Sequence, residues 1–138
     1  MIILDTNVIS EPLRPVPDPA VLGWLDRQAI ETLFLTAVTI AEMRHGIAEL
    51  PAGRRRKVLA SRLDAEVLPL FAGRILDFDL PAADAYGELR GRARRAGKAV
   101  GPLDGMIAAI ALVHGFTVAT RDIAPFLAAG VRVIEPFG

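Results

Sequence analysis

The sequence predicts an α/β domain built on a largely parallel sheet. Short apolar runs rich in Ile, Val, Leu and Phe alternate with longer helical stretches, and several of those stretches open on proline or on a capping residue. Parallel strands must be joined by crossovers, usually helices, so this alternation is their expected signature.

The elements follow in order. Ile2–Leu4 reads as a buried strand. Asp18-Pro19 supplies an N-cap and a proline at the first helical position, opening a helix with Val21, Leu22 and Leu25 on one face. Leu33–Ala37 is the second strand. Thr39 begins a helix to about Glu49, and Thr39-Ile40-Ala41-Glu42 spells a capping box. Pro51 and Gly53 interrupt the pattern, and a basic helix from about Arg54 to Leu70 follows. Ile75–Phe78 is a shorter third strand. Pro81 opens a helix to about Arg95, and Pro102 opens another that ends before Gly115. Thr117–Thr120 and Val131–Ile134 are the last strands. Without repeats, low-complexity segments or a long linker, the 138 residues are expected to form one domain, 1–138, with one well-filled core.

Composition narrows the function classes. The 16 basic and 16 acidic residues cancel, so a nucleic-acid signal must be local rather than global. The absence of cysteine removes disulfides and thiolate metal sites, and two histidines, His45 and His114, supply a zinc cluster poorly. No basic region precedes the first apolar residues, and the longest apolar run, Met106 to Val113, is far shorter than the roughly 20 residues of a membrane span. A cytoplasmic protein with no membrane association is the expectation.

Four acids occupy comparable places. Asp5 follows the first strand, Glu42 lies in the first turn after the second, Asp122 follows the strand Thr117–Thr120, and Asp104 lies in the first turn of the Pro102 helix. Strand-to-helix junctions of a parallel sheet emerge on one edge, where open α/β folds bind ligands. A single acid at a helix start is commonly a cap or a partner of the helix dipole. Several on one edge repel one another and raise each other's pKa unless a cation neutralises them. Magnesium or manganese suits carboxylate and water ligands, and two such ions roughly 4 Å apart can activate water and stabilise the leaving oxygen of a phosphodiester. On this reading Asp5 and Asp104 are the central ligands, Glu42 binds directly or through water, and Asp122 completes the site. Thr6, Asn7 and Thr120 stand beside them, either as turn and capping residues or as groups that orient the carboxylates.

The segments Leu4-Asp5-Thr6-Asn7-Val8-Ile9-Ser10-Glu11, Glu42-Met43-Arg44-His45-Gly46-Ile47, Gly101-Pro102-Leu103-Asp104-Gly105-Met106-Ile107-Ala108-Ala109 and Ala119-Thr120-Arg121-Asp122 resemble the PIN domain, specifically toxins of the VapC and FitB type. The resemblance spans nearly the whole chain, in the correct order. It implies a three-layer α/β/α sandwich, a magnesium- or manganese-dependent endoribonuclease, a homodimer, and inhibition by a small antitoxin encoded beside it, with operator DNA engaged only through that antitoxin. Many relatives carry a further aspartate three positions after the equivalent of Asp122; here Pro125-Phe126 stands in that place.

Other features are weighed against simpler roles. Arg54-Arg55-Arg56-Lys57 with Arg62, and Arg90, Arg92, Arg94, Arg95 and Lys98, are candidates for RNA phosphate contacts; a solvated helix face, with Glu88 spaced to pair with Arg92, is the plainer expectation. The second group is the better candidate because the chain from Arg95 leads into Asp104. Val21, Leu22, Trp24 and Leu25, and the apolar helix Met106 to Val113, are assigned to the core ahead of an interface. Arg44 and His45 are placed on the surface or against substrate. The Gly91–Lys98 segment has the wrong spacing for a phosphate-binding loop, neither serine lies in Gly-x-Ser-x-Gly, and no dinucleotide fingerprint occurs. Two other readings are kept. A haloacid-dehalogenase-like phosphatase would use Asp5 as nucleophile but wants Asp-x-Asp, where Asn7 stands. An inactive partner would merely hold an antitoxin on operator DNA.

Overall fold

A computed structural model describes residues 1–138. Five strands, β1 (Ile2–Leu4), β2 (Leu33–Thr36), β3 (Ile75–Leu76), β4 (Thr117–Ala119) and β5 (Val133–Ile134), form one sheet in the order β3-β2-β1-β4-β5. Every pairing is parallel. The chain lays β2 and β3 outward on one side of β1, then returns to place β4 on the other side. The order therefore reverses at β1 and β4, and such a switch point opens a crevice at the carboxyl ends of the strands.

Seven α-helices surround the sheet: α1 (Thr6–Ile9), α2 (Pro19–Asp26), α3 (Ala37–Ala48), α4 (Arg54–Arg62), α5 (Leu80–Arg95), α6 (Pro102–His114) and α7 (Ile123–Ala128). Successive strand residues face opposite sides, and the core divides accordingly. Ile3 and Val118 point into one apolar layer with Leu89 of α5, Ile107 and Ile110 of α6 and Phe126 of α7. Leu4, Ala119, Leu33 and Leu35 point into the other, with Val8 of α1, Val21 of α2 and Met43 of α3. This is the expected three-layer sandwich. No helix is long and apolar enough to cross a membrane.

Helix α6 fixes the fourth acid. Ile107–Ala111 are wholly buried, and the run of alanines lets α6 pack closely beneath α5 and onto the sheet. Because α6 feeds the parallel strand β4, its last turn lies at the amino edge of the sheet and its first turn, with Asp104, at the carboxyl edge. Gly105 permits a close approach there: a Cβ would lie 3.1 Å from Tyr86 Cε2 and 3.3 Å from Arg90 Cδ, so those side chains would have to shift. Gly115, at φ 70°, ends α6 in the left-handed conformation that glycine adopts freely.

Several local expectations need correction. Helix α3 starts at Ala37 rather than Thr39, and Thr36 is its N-cap, its side chain accepting from the Thr39 N–H at 3.0 Å. The Thr39–Glu42 capping box does not form, because the helix is already under way and Glu42 is used elsewhere. The basic helix expected to Leu70 ends at Arg62; a π-turn over Leu63–Val67 and a 3-10 turn over Leu68–Phe71 follow. That break buries Leu63, Val67 and Phe71 together, and Pro69 has no N–H to continue the ladder. The third and last strands shrink to two residues each. The short helices α1 and α7 were not anticipated; α7 is pinned by fully buried Phe126, whose burial contributes about 1.5–3 kcal/mol. Val21 is fully buried and Trp24 and Leu25 half-buried against the core, as expected.

Candidate active site

Pairing of Leu4 with Ala119 makes Asp5 and Thr120 leave the sheet as neighbours. The Asp5 N–H continues the ladder to the Ala119 carbonyl at 2.9 Å. Its side chain then turns into the crevice and caps α1, Oδ1 accepting the Thr6 N–H at 2.8 Å while Oδ2 accepts the Thr120 hydroxyl at 2.7 Å. Asp5 is only 4% exposed. The Thr120 oxygen in turn accepts the Asp122 N–H at 2.9 Å, so one side chain sets both the acid after β1 and the acid after β4.

Asn7 ties the same groups from the other side. Its side-chain nitrogen lies 3.4 Å from each of Asp5 Oδ2, Thr120 Oγ1 and Asp122 Oδ2, and its oxygen accepts the Arg121 N–H at 3.1 Å. Glu42 arrives from the second turn of α3, where the Thr6 hydroxyl donates to its Oε1 at 2.8 Å. Thr6, Asn7 and Thr120 thus each hold a carboxylate as well as serving the local turns.

Electrostatics show that the four acids share one field. Burial pushes the Asp5 carboxyl up to about 6, and the charges of Asp104 and Glu42 add to it against the Thr120 and Thr6 hydrogen bonds. Glu42 is raised by burial and then by Asp104, against the Thr6 hydrogen bond. Asp104 is raised by burial and by the charge of Asp122. Asp5, Glu42 and Asp104 are thus each raised in part by a neighbouring carboxylate, and no cationic side chain forms an ion pair with any of the four acids.

Such a site fits a hard divalent cation. All its donors are carboxylate, hydroxyl or amide groups, which suit magnesium or manganese. No three of the acids converge tightly enough to close a cage around one point as they stand. An ion held by one or two carboxylates, keeping several waters and free to take phosphate oxygens, matches that open arrangement. A groove of about 330 Å³ leads away from Thr6 and Glu42 over Met43, Ile47 and Leu59 towards Arg14 and Arg55.

Other candidates are placed differently. Arg44 pairs with Asp64, and His45 Nε2 lies 2.7 Å from Glu49 Oε1, so both have surface partners. The Glu88–Arg92 ion pair does not form. Sequence reasoning passed over Glu11, a carboxylate only 3% exposed. It stands apart from the cluster, accepting the Asp18 N–H at 3.0 Å and pairing with Arg14, and so clasps the turn before α2. Thr36 and Thr39, a buried hydroxyl pair 3.2 Å apart that fixes the start of the Glu42 helix, were also missed as a pair.

The shared role of Thr120 makes a sharp prediction. Thr120→Val keeps the shape but removes the proton given to Asp5 and the oxygen offered to Asp122. Any activity that depends on these acids should fall roughly 10- to 100-fold, the usual effect of removing a group that orients a functional carboxylate, and stability by about 1–3 kcal/mol. Thr120→Ser should recover most of both; single-turnover cleavage and urea unfolding check the pair.

Residues 2–130 match the PIN domain family, and the chain belongs to it. It is 56% identical over 137 residues to the VapC ribonuclease Y4jK of Sinorhizobium fredii, covering 99% of this chain and 98% of that protein. It is 52% identical to toxin FitB of Neisseria gonorrhoeae over 99% of both chains. Among solved structures, FitAcB from Neisseria gonorrhoeae superposes with a TM-score of 0.96 over 99% of each chain at 52% identity. FitAB bound to an IR36 DNA fragment matches with a TM-score of 0.96 at 51% identity, covering 100% of this chain and 96% of that one. The family removes the ground for the phosphatase reading, and Asn7, where that reading wants a second aspartate, works as a donor to the acids.

Proposed function

We propose that the protein is a magnesium- or manganese-dependent endoribonuclease, the toxin of a toxin–antitoxin pair. The observation that carries the reading is the tying of Asp5, Glu42 and Asp122 together through Thr6, Asn7 and Thr120 at the switch point of a PIN fold, with the charge of Asp104 acting on Asp5 and Glu42. The close likeness to a VapC ribonuclease and a FitB toxin supports it.

Asp5 and Asp104 would be the principal ligands of the ion, with Asp122 and Glu42 completing the set. When bound, the ion supplies positive charge to the scissile phosphodiester and lowers the pKa of a water. The chain's own contribution is placement. Thr120 and Asn7 hold Asp5 and Asp122 in fixed orientation, and Thr6 holds Glu42, so little reorganisation remains when substrate arrives. The burial that keeps Asp5 out of solvent also strengthens its hold on a cation. No side chain would act as nucleophile: a water oxygen would bond to phosphorus as the P–O bond to the leaving ribose oxygen breaks, the water giving up a proton and the leaving oxygen taking one up.

Among the solved relatives, FitAB is bound to an IR36 DNA fragment, VapBC2 from Rickettsia felis to a DNA fragment from their promoter, and VapBC-5 from Mycobacterium tuberculosis is a member of the VapBC family of toxin-antitoxin systems. By likeness, this chain would form a homodimer and be held inactive by a small cognate antitoxin that alone contacts operator DNA.

The test is incubation of antitoxin-free protein with a panel of end-labelled structured RNAs in magnesium, manganese or chelator. Discrete cuts that vanish with chelator are expected. Failure to cut any RNA, despite calorimetric binding of magnesium, would leave the protein an inactive holder of its antitoxin.

A further inference from the structure

We propose that the recess between the last turns of α5 and the segment leading into α6, walled by Arg90, Arg94, Lys98 and Gly101, binds a backbone phosphate of the RNA strand on the Asp104 flank of the acid cluster. The proposal deepens the ribonuclease reading and rests on it for the identity of the strand.

The recess encloses about 500 Å³, ample for a hydrated phosphodiester. Its charge is uncompensated. Of the four ion pairs in the structure, none involves Arg90, Arg94 or Lys98; Arg14, Arg44 and Arg62 are each paired with an acid, while Arg54 and Lys57 on α4 are unpaired like the recess cations but are not built into a wall as Arg90 is. Cations in a last helical turn also favour the helix dipole. That preference leaves their convergence on one recess unexplained, and Arg90 lies more than a turn before the helix end.

Arg90 is built into the wall. Its Nε donates to the Val100 carbonyl at 3.0 Å and its Nη1 to the Tyr86 hydroxyl at 2.9 Å, with the guanidinium 5.4 Å from the centre of the Tyr86 ring. Two of its five N–H groups are thus engaged, and those on Nη2 remain for an anion. The same side chain packs where a Cβ on Gly105 would be, directly beside Asp104. A hydrogen bond of 2.8 Å from Gly105 N–H to the Gly101 carbonyl closes the turn between recess and acid, a rise of about 5.4 Å. Arg94 and Lys98 are exposed at the rim, and nothing lies within 4 Å of the position a Cβ on Gly101 would take, so the recess is open to an incoming strand.

Charge explains why such a subsite is needed. A polyanion approaching Asp5, Glu42, Asp104 and Asp122 meets repulsion that a bound ion offsets at only one place. A fixed cationic recess one helical turn away anchors the neighbouring phosphate and sets the strand's register without reading its bases.

The experiment compares Arg94→Glu/Lys98→Glu with Arg54→Glu/Lys57→Glu, the latter reversing two exposed cations on α4. Both are placed in an Asp5→Asn background to suppress cutting. The probe is a fluorescein-labelled single-stranded oligoribonucleotide, read by anisotropy across a salt series with magnesium present. The Arg94/Lys98 pair should weaken binding at least about tenfold and flatten the slope of log affinity against log salt by about 0.7, the value for one lost phosphate contact on a single strand. The thermal midpoint measured in that background should stay unchanged. Unaltered RNA affinity and salt slope would overturn the proposal, and so would an equal loss from the α4 pair, which would mean general charge rather than a site. Because binding is read without cleavage, a wild-type protein that cuts no RNA removes the nuclease reading while these outcomes still decide the recess.

Discussion

Asp5→Asn and Asp104→Asn are each expected to lower RNA cleavage by about three orders of magnitude or more, equivalent to ~4 kcal/mol of transition-state stabilisation. The reason differs between them. Asp5 is 4% exposed and is the focus of three donors, from Thr6, Thr120 and Asn7. Replacing one oxygen by an NH₂ turns an acceptor into a donor facing those donors, as well as removing the charge that holds the cation. Asp104 has no such network, so its replacement removes little but charge, from a helix start whose neighbours Glu42 and Asp122 repel it. Asp104→Asn should therefore be inert yet at least as stable as wild type in chelator at pH 7.5. Single-turnover cleavage with urea unfolding of the same preparations checks both halves. Appreciable cutting by either variant would take Asp5 or Asp104 out of the catalytic set.

The second large effect is on pH. Asp5 has a folded pKa of about 6 against an ordinary 3.8. A carboxyl whose pKa rises on folding favours the folded state when protonated, so its stabilisation is complete below the unfolded value and disappears as pH climbs through about 6. The full difference is ~3 kcal/mol, of which roughly 1.4 kcal/mol falls between pH 5 and pH 7.5. Glu42 and Asp104 are raised as well and act in the same direction. In chelator, unfolding free energy should accordingly rise as pH falls from 7.5 to 5. Magnesium should stabilise the protein at pH 7.5 and lose that ability below about 6, since ion and proton compete for the same oxygens. Urea titrations in chelator and in magnesium across this range measure both trends. A chelated protein indifferent to pH, or a magnesium effect that persists at pH 5, would show that these carboxylates neither crowd one another nor share a cation.

The four acids were legible because parallel topology turns sequence position into spatial position. Asp5 and Asp122 directly follow strands, and once β1 and β4 pair they must emerge together. Glu42 and Asp104 could be added because helices adjoining parallel strands start at the same edge. Hydrogen-bond choices were less legible. Thr36 and Thr39 are both good caps, and only the end of β2 at Thr36 decides that Thr36 wins. The break at Leu63 follows from tertiary burial of three apolar side chains, which no local pattern in Arg54–Leu70 announces. Glu88 and Arg92 had ideal spacing and stayed apart, a reminder that an exposed pair of this kind contributes little. The recess at Arg90 depended on a stack with Tyr86 and a contact across Gly105, both invisible until α5 and α6 were side by side.

The central place of β1 also bears on the timing of synthesis. This first strand gains its neighbour β2 within the first 36 residues, but its other neighbour, β4, begins only at residue 117. Asp5 therefore lacks Thr120, and the crevice lacks Asp122, until residues 117–122 have left the ribosome. An incomplete copy carries the first three acids without the wall that holds them. The acid cluster is therefore completed by residues 117–122, long after its first member has been made.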